Sequence, residues 1–107
     1  MIADTPSPPY FAVIFSSLRR EDDPSYERMA DDMAILAARQ PGYLGFESAR
    51  SGLGISVSYW SDLESIAQWK NVLEHREAQR LGREKWYASY RVRIAEVTRE
   101  YGPGSSL

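Results

Sequence analysis

Along the chain, apolar positions switch between the two-residue period of a strand and the 3.6-residue period of a helix. Tyr10-Phe11-Ala12-Val13-Ile14-Phe15-Ser16 is apolar at both parities, which predicts a first strand covered on both faces. Tyr26, Met29, Met33, Leu36 and Ala37 recur at helical spacing and form the packed stripe of a first helix. Asp23-Pro24 opens that helix and Pro41-Gly42 closes it. Two strands follow, Tyr43 to Ala49 and Gly54 to Trp60, and the glycine-bearing link Arg50-Ser51-Gly52-Leu53 favours an antiparallel hairpin. Ser61 and Glu64 read as a capping-box pair at the start of a second helix, with Trp60 packed back over its first turn. This helix carries Leu63, Ile66, Ala67, Trp69 and Leu73, and its pattern continues toward Ala78 and Leu81 before Gly82. A long last strand runs from Tyr87 to Tyr101, with Val92 and Ile94 at one parity and Ala95 and Val97 at the other.

The resulting order, βαββαβ, has two right-handed crossovers around a hairpin, which gives an α+β fold: a four-stranded antiparallel sheet with both helices on one face. The strands carry apolar side chains at both parities, so the other face is not expected to meet water. A homodimer through that sheet face buries it most economically, and a monomer with a wet sheet face is the alternative. Residues 10–101 make one domain. The proline-rich residues 1–9 read as a flexible leader and residues 102–107 as a flexible tail.

Composition narrows the function classes. A formal charge of −2 supplies no broad cationic field for nucleic acid. The local run Arg76, Arg80, Arg83 and Lys85 is interleaved with Glu74, Glu77 and Glu84, as on a solvated surface. The absence of cysteine removes disulfides, thiolate nucleophiles and sulfur-ligated metals, and is compatible with the reducing cytoplasm expected here. No apolar run approaches the roughly 20 residues that span a bilayer, so no membrane is expected as a partner.

Candidate chemistry is concentrated between Val57 and Arg99. His75 is the one histidine of the chain, and histidine is the side chain suited to exchanging a proton near neutral pH. It lies four residues before Gln79, a same-face spacing, but six after Trp69, so it meets Trp69 only if the helix bends or breaks near Asn71-Val72. A histidine bonded to a backbone carbonyl would give the same sequence. A single histidine with scattered carboxylates does not make a metal site. Trp60, Trp69, Trp86, Tyr59, Tyr87 and Tyr90 come from elements that meet in this topology, and suit either a domain core or a pocket for a flat conjugated molecule. Arg91 or Arg93 is available for the carboxylate or phenolate of such a small aromatic ligand.

Tyr59 to Lys70, with Glu74-His75, Ala78-Gln79, Gly82-Arg83, Trp86-Tyr87 and Tyr90-Arg91-Val92, resembles the antibiotic biosynthesis monooxygenase family, in particular a branch of small, mostly uncharacterised bacterial proteins. Pro41 to Glu47 is similar to that family's entry into its second strand, and the resemblance spans about Tyr10 to Tyr101. It implies a ferredoxin-like fold assembled as a dimeric α+β barrel. It also implies an oxidoreductase, a monooxygenase that oxidises polycyclic aromatic phenols without metal or flavin by deprotonating the substrate so that oxygen attacks its carbanion. No cofactor is implied for this chain. In the haem-degrading branch Trp69 matches the helix tryptophan, but Gln79 falls where the haem-binding histidine belongs, His75 comes four positions early, and Ile14, Phe15 and Ser16 offer no strand-one asparagine. The quinone-forming branch's asparagine and tryptophans are not matched as a complete set either.

The resulting expectation is a cofactor-independent monooxygenase acting on an aromatic or polyketide-like small molecule. His75 is its catalytic base, and Trp60, Trp69, Gln79, Trp86 and Arg91 bind substrate. The alternative is a non-catalytic, small-molecule-binding or stress-related dimeric barrel using the same pocket.

Overall fold

The structure, a computed structural model, describes residues 1–20, 24–76 and 86–103. Strand β1 (Tyr10–Arg19) leads to helix α1 (Pro24–Ala38) and to the hairpin of β2 (Tyr43–Ser51) and β3 (Leu53–Trp60). Helix α2 (Leu63–Glu74) and strand β4 (Tyr87–Val97) complete the chain order. All pairings are antiparallel, in the order β2-β3-β1-β4, which is the ferredoxin-like α+β arrangement predicted from the element order.

The register assigns every strand residue to a face. Phe11, Val13, Phe15 and Ser17 of β1 lie opposite Trp60, Ser58, Ser56 and Gly54 of β3, and Glu96, Ile94, Val92 and Tyr90 of β4. This is the helix-facing side, because Phe11 and Val13 pack against the core of Ala37, Trp60, Ile66 and Trp69. Helix α1 contributes Leu36 and Ala37 to the core, and α2 contributes Ile66, Trp69, Val72 and Leu73. At its centre Trp60 is fully enclosed, stacked on Trp69 at 5.9 Å between ring centroids and met edge-on by Tyr43 at 5.7 Å. The Trp60 indole N–H, which could not be buried without an acceptor, donates to Ser58 Oγ at 2.9 Å.

Four local expectations are corrected. The last strand ends at Val97, not Tyr101, because its partner there, Tyr10, is the first residue of β1. The cap of α2 is Asp62, not Ser61. Its backbone is extended, with φ −159°, and its carboxylate accepts from the Ser65 N–H at 2.7 Å. Helix geometry places the N3 donor three residues after the cap, and only Asp62 has a helical residue, Leu63, directly after it. Next, α2 ends at Glu74, where the His75 N–H closes back onto the Asn71 and Leu73 carbonyls, and Ala78 and Leu81 lie outside the described residues. The hairpin is also tighter than a four-residue link. Gly52, with φ +81°, stands alone between the strands, so Arg50, Ser51 and Leu53 are ladder residues. That change assigns Arg50 to the helix-facing side, in register with Gly54.

The opposite face is partly covered by the chain's own start. The Ala3 N–H donates to Glu47 Oε2 at 3.2 Å, and Thr5 Oγ1 bonds the Tyr10 hydroxyl at 3.0 Å. Tyr10 and Ala12 are buried there, whereas Leu18, Leu53 and Ile55 stay 46%, 51% and 42% exposed on the same face. Among the described residues, no helix is long and apolar enough to cross a membrane.

Candidate functional site

Helix α2 sends Ile66, Trp69, Val72 and Leu73 inward and runs unbroken through Asn71 and Val72. Without a bend, His75 does not share Trp69's face. It is exposed at the helix end while Trp69 is buried. The His75 Nδ1 lies 2.8 Å from the Asn71 carbonyl. A carbonyl only accepts, so Nδ1 carries the hydrogen and Nε2 is the ring atom presented to an incoming group. His75 lines a shallow depression of about 370 Å³ together with Asn71, Val72 and Arg76. Val72 has two roles, since it also packs against the buried tryptophan cluster.

A second cluster occupies the helix-facing side around Tyr26. The Arg50 side chain crosses the bare backbone of Gly54 to reach β1, donating to the Ser17 carbonyl at 3.3 Å and to Ser17 Oγ. It also donates to the Tyr26 hydroxyl at 3.4 Å, and the Tyr87 hydroxyl donates to the same oxygen at 3.4 Å. The Arg19 guanidinium lies 4.1 Å from the centre of the Tyr26 ring. Edge-on ring contacts join Tyr26 to Trp86 and Tyr87, and Tyr87 to Phe15, and Tyr90 follows at 5.7 Å from Phe15. Burial, and then the hydrogen bond to Tyr26, push the Tyr87 phenol well above the ordinary tyrosine range, while Arg50 and Arg19 pull the other way.

On the outer face two phenols meet two carboxylates. Tyr10 donates to Glu100 Oε2 at 2.6 Å, Tyr59 donates to Glu47 Oε1, and the rings touch edge-on at 5.7 Å. Burial comes first in raising both phenols, followed by the carboxylate that each one bonds.

The sequence-predicted residues therefore occupy different places. Trp60 and Trp69 come together in the core, and Trp86 packs on Tyr26 with its N–H on Ser25 Oγ at 3.3 Å. Arg91 is exposed on the outer face, paired with Ser16, and Gln79 lies outside the described residues. Sequence reasoning missed Tyr26, Arg19 and Arg50 as functional candidates. Arg19 continues the parity of Phe11, Val13, Phe15 and Ser17, and an arginine at an inward parity was a signal to follow. Among the described residues, no group of three His, Cys, Asp or Glu side chains is placed to hold a metal ion.

An antiparallel four-stranded sheet backed by two helices, with aromatic rings gathered on its covered side, places this chain among the small ferredoxin-like α+β domains. Residues 9–81 match the antibiotic biosynthesis monooxygenase family, and the chain belongs to it. It is 50% identical over 101 residues to the uncharacterized protein YqjZ of Bacillus subtilis (strain 168), a match covering 92% of this chain and 89% of that protein. It is 29% identical over 93 residues to the jasmonate monooxygenase ABM of Pyricularia oryzae, covering 82% of this chain but 43% of that longer protein. A solved variant of SnoaB, a cofactor-independent oxygenase from Streptomyces nogalater, superposes with a TM-score of 0.70 at 16% identity, over 88% of this chain and 97% of that one. At that identity the likeness carries the fold.

Proposed function

We propose that the protein is a cofactor-independent monooxygenase acting on an aromatic or polyketide-like small molecule, with His75 as its base. One observation carries this reading: the Asn71 carbonyl accepts from His75 Nδ1, which leaves Nε2 outside that bond, and His75 lines the depression. Family membership and the two oxygenase relatives support the reaction class. Nε2 takes the proton from an acidic C–H beside a conjugated ring, and the resulting carbanion supplies the electrons that reduce dioxygen. Protonation of the peroxide and loss of water complete the step, so that a ring methylene and one dioxygen become a ketone carbonyl and one water. Arg76, which also lines the depression, balances the substrate anion, and Val72 joins the lining to the Trp60–Trp69 core. In this reading Trp86 and Gln79 remain candidate substrate contacts, whereas Arg91 lies on the sheet face opposite α2.

The test is oxygen uptake with product mass spectrometry across anthrone-like, quinol and flavonoid phenols, without added metal or flavin. His75→Ala is expected to lower turnover by about 100-fold or more, the scale of a lost general base. Turnover unchanged in His75→Ala overturns the assignment.

A second reading is favoured by the filled interior, where Trp60 is 0% exposed: a ligand-binding domain without turnover. Saturable binding of the same phenols with no oxygen uptake selects it. In either reading the protein is a homodimer through the outer sheet face, where Leu18, Leu53 and Ile55 stand exposed. A monomer mass independent of concentration in light scattering contradicts the dimer.

A further inference from the structure

The geometry points to a carboxylate-binding site made by Arg50, Tyr26 and Tyr87 on the helix-facing side of the sheet, taking a small organic acid whose flat apolar body lies along Phe15, Tyr90 and Val92. The site shares no named residue with the His75 depression and does not depend on oxygen chemistry.

Register builds the cationic end. Arg50, Gly54, Ser17 and Tyr90 form one row across β2, β3, β1 and β4 on the helix-facing side. A Cβ built on Gly54 would lie 2.2 Å from the Arg50 guanidinium carbon, so this glycine is what lets the arginine lie flat across β3. The cation is thereby held beside Ser17, one strand from Tyr90.

Donors and acceptors do not balance there. Arg50 has five N–H donors. Three are used, by the Ser17 carbonyl, Ser17 Oγ and the Tyr26 hydroxyl, which leaves two (five minus three) unused among the described residues. All three acceptors are neutral, so no described carboxylate hydrogen-bonds this guanidinium. The Tyr26 oxygen accepts from Arg50 and from Tyr87, which occupies both of its lone pairs. In that arrangement its own O–H is a further donor of the cluster. Two N–H groups and a phenol O–H, polarised by a second phenol behind it, make a donor set with no anion on it among the described residues. The fork of an arginine matches the two oxygens of a carboxylate.

The apolar part follows from exposure. Tyr90 and Val92 are 43% and 50% exposed on the helix-facing side of β4; Tyr90 continues the ring contacts that run from Tyr26 through Tyr87 and Phe15, and Val92 is the ladder partner of Phe15. A cationic head and an apolar strip one strand apart fit an amphiphilic monoanion of about two fused rings. A bare inorganic anion would leave the strip wet, and a neutral ring compound would leave the donors unmatched.

Isothermal titration of the whole protein with 2-naphthoate, 2-naphthamide and acetate tests this. Saturable binding of 2-naphthoate is expected, with the amide and acetate each weaker by about tenfold or more, the scale of one charge-assisted hydrogen bond. Arg50→Gln is expected to weaken 2-naphthoate about tenfold and to leave 2-naphthamide unchanged. Tyr26→Phe keeps the ring packing, removes one oxygen, and serves as the second variant should Arg50→Gln disturb folding. It is expected to weaken 2-naphthoate severalfold. The proposal is overturned by equal affinity for naphthoate and naphthamide, by no naphthoate binding, by wild-type affinity in Tyr26→Phe, or by wild-type affinity in a folded Arg50→Gln.

Discussion

Replacing Gly42 by alanine isolates the contact that joins the start of β2 to the start of α2. Gly42 has φ +84°, and its carbonyl accepts the Ser61 N–H at 2.8 Å. An added Cβ would lie 2.1 Å from Ser65 Oγ, 2.5 Å from Ser65 Cβ and 2.9 Å from Ser61 Oγ. Ser65 is buried, and its N–H is the donor to the Asp62 cap, so it cannot retreat without moving the first turn of α2. The left-handed backbone costs a non-glycine residue about 1–2 kcal/mol, and relieving an overpacked contact adds about 1–3 kcal/mol. Their sum is about 2–5 kcal/mol. At about 4–8 °C per kcal/mol for a domain of this size, the melting temperature should fall by at least roughly 10 °C. Gly52→Ala is the control. Its φ of +81° imposes the same backbone cost, yet nothing lies within 4 Å of an added Cβ there, so only about 1–2 kcal/mol is expected. Urea unfolding of both variants, followed by circular dichroism, reads the steric contribution as their difference. Equal losses in the two variants, or a loss below about 1 kcal/mol for Gly42→Ala, would mean that Ser65 does not hold its place against the added methyl.

Two further outcomes follow from the same geometry. The Asp62 carboxyl is held below its ordinary value of 3.8 by the Ser65 backbone N–H first, with the Ser65 and Ser61 hydroxyls adding to it. A depressed folded pKa contributes stability that is present above the unfolded value and lost as pH falls through the folded one. Asp62→Ala should therefore lower the urea midpoint at neutral pH and much less near pH 2, whereas Asp62→Asn keeps most of the cap at both. A loss independent of pH contradicts the assignment. Gly54→Ala should expel the Arg50 guanidinium, a flexible tip that moves cheaply, so 2-naphthoate binding falls as in Arg50→Gln while the melting temperature changes little. Retained binding in Gly54→Ala means that Arg50 does not need the path across β3.

Reading the chain by its apolar periods located each helix and strand because those signals are local. The stripe Tyr26, Met29, Met33, Leu36 and Ala37 is the inward side of α1, with Ala37 buried and its partners Leu36 and Tyr26 drawn into the core and the Arg50 cluster. The parities of Val92 and Ile94 against Ala95 and Val97 separate the two faces of β4 as observed. End effects were harder to read. Ser61 and Asp62 are both good caps, and only backbone geometry decides between them: Asp62 is extended and directly precedes the helix. The aromatic residues misled in a different way. Tyr59 and Trp60 are neighbours in sequence, yet strand alternation sends Trp60 into the core and Tyr59 to Glu47 on the opposite face.

Local sequence was thus enough for the elements, their βαββαβ order, the handed crossovers that make one antiparallel sheet, and the family. Periodicity, turn chemistry and chain connectivity are properties of neighbouring residues, and they act before any distant contact forms. Which polar groups meet depends instead on how distant segments pair. Arg50 reaches Ser17 because a one-residue reversal at Gly52 sets β2 against β3 in one particular register, and because Gly54 in that register has no side chain. Tyr26 and Tyr87 stand 61 residues apart and share a hydrogen bond that no local pattern encodes. A shift of one residue in either ladder would send Arg50 to the opposite face, so the donor cluster is a property of register, which the packed core around Trp60 selects.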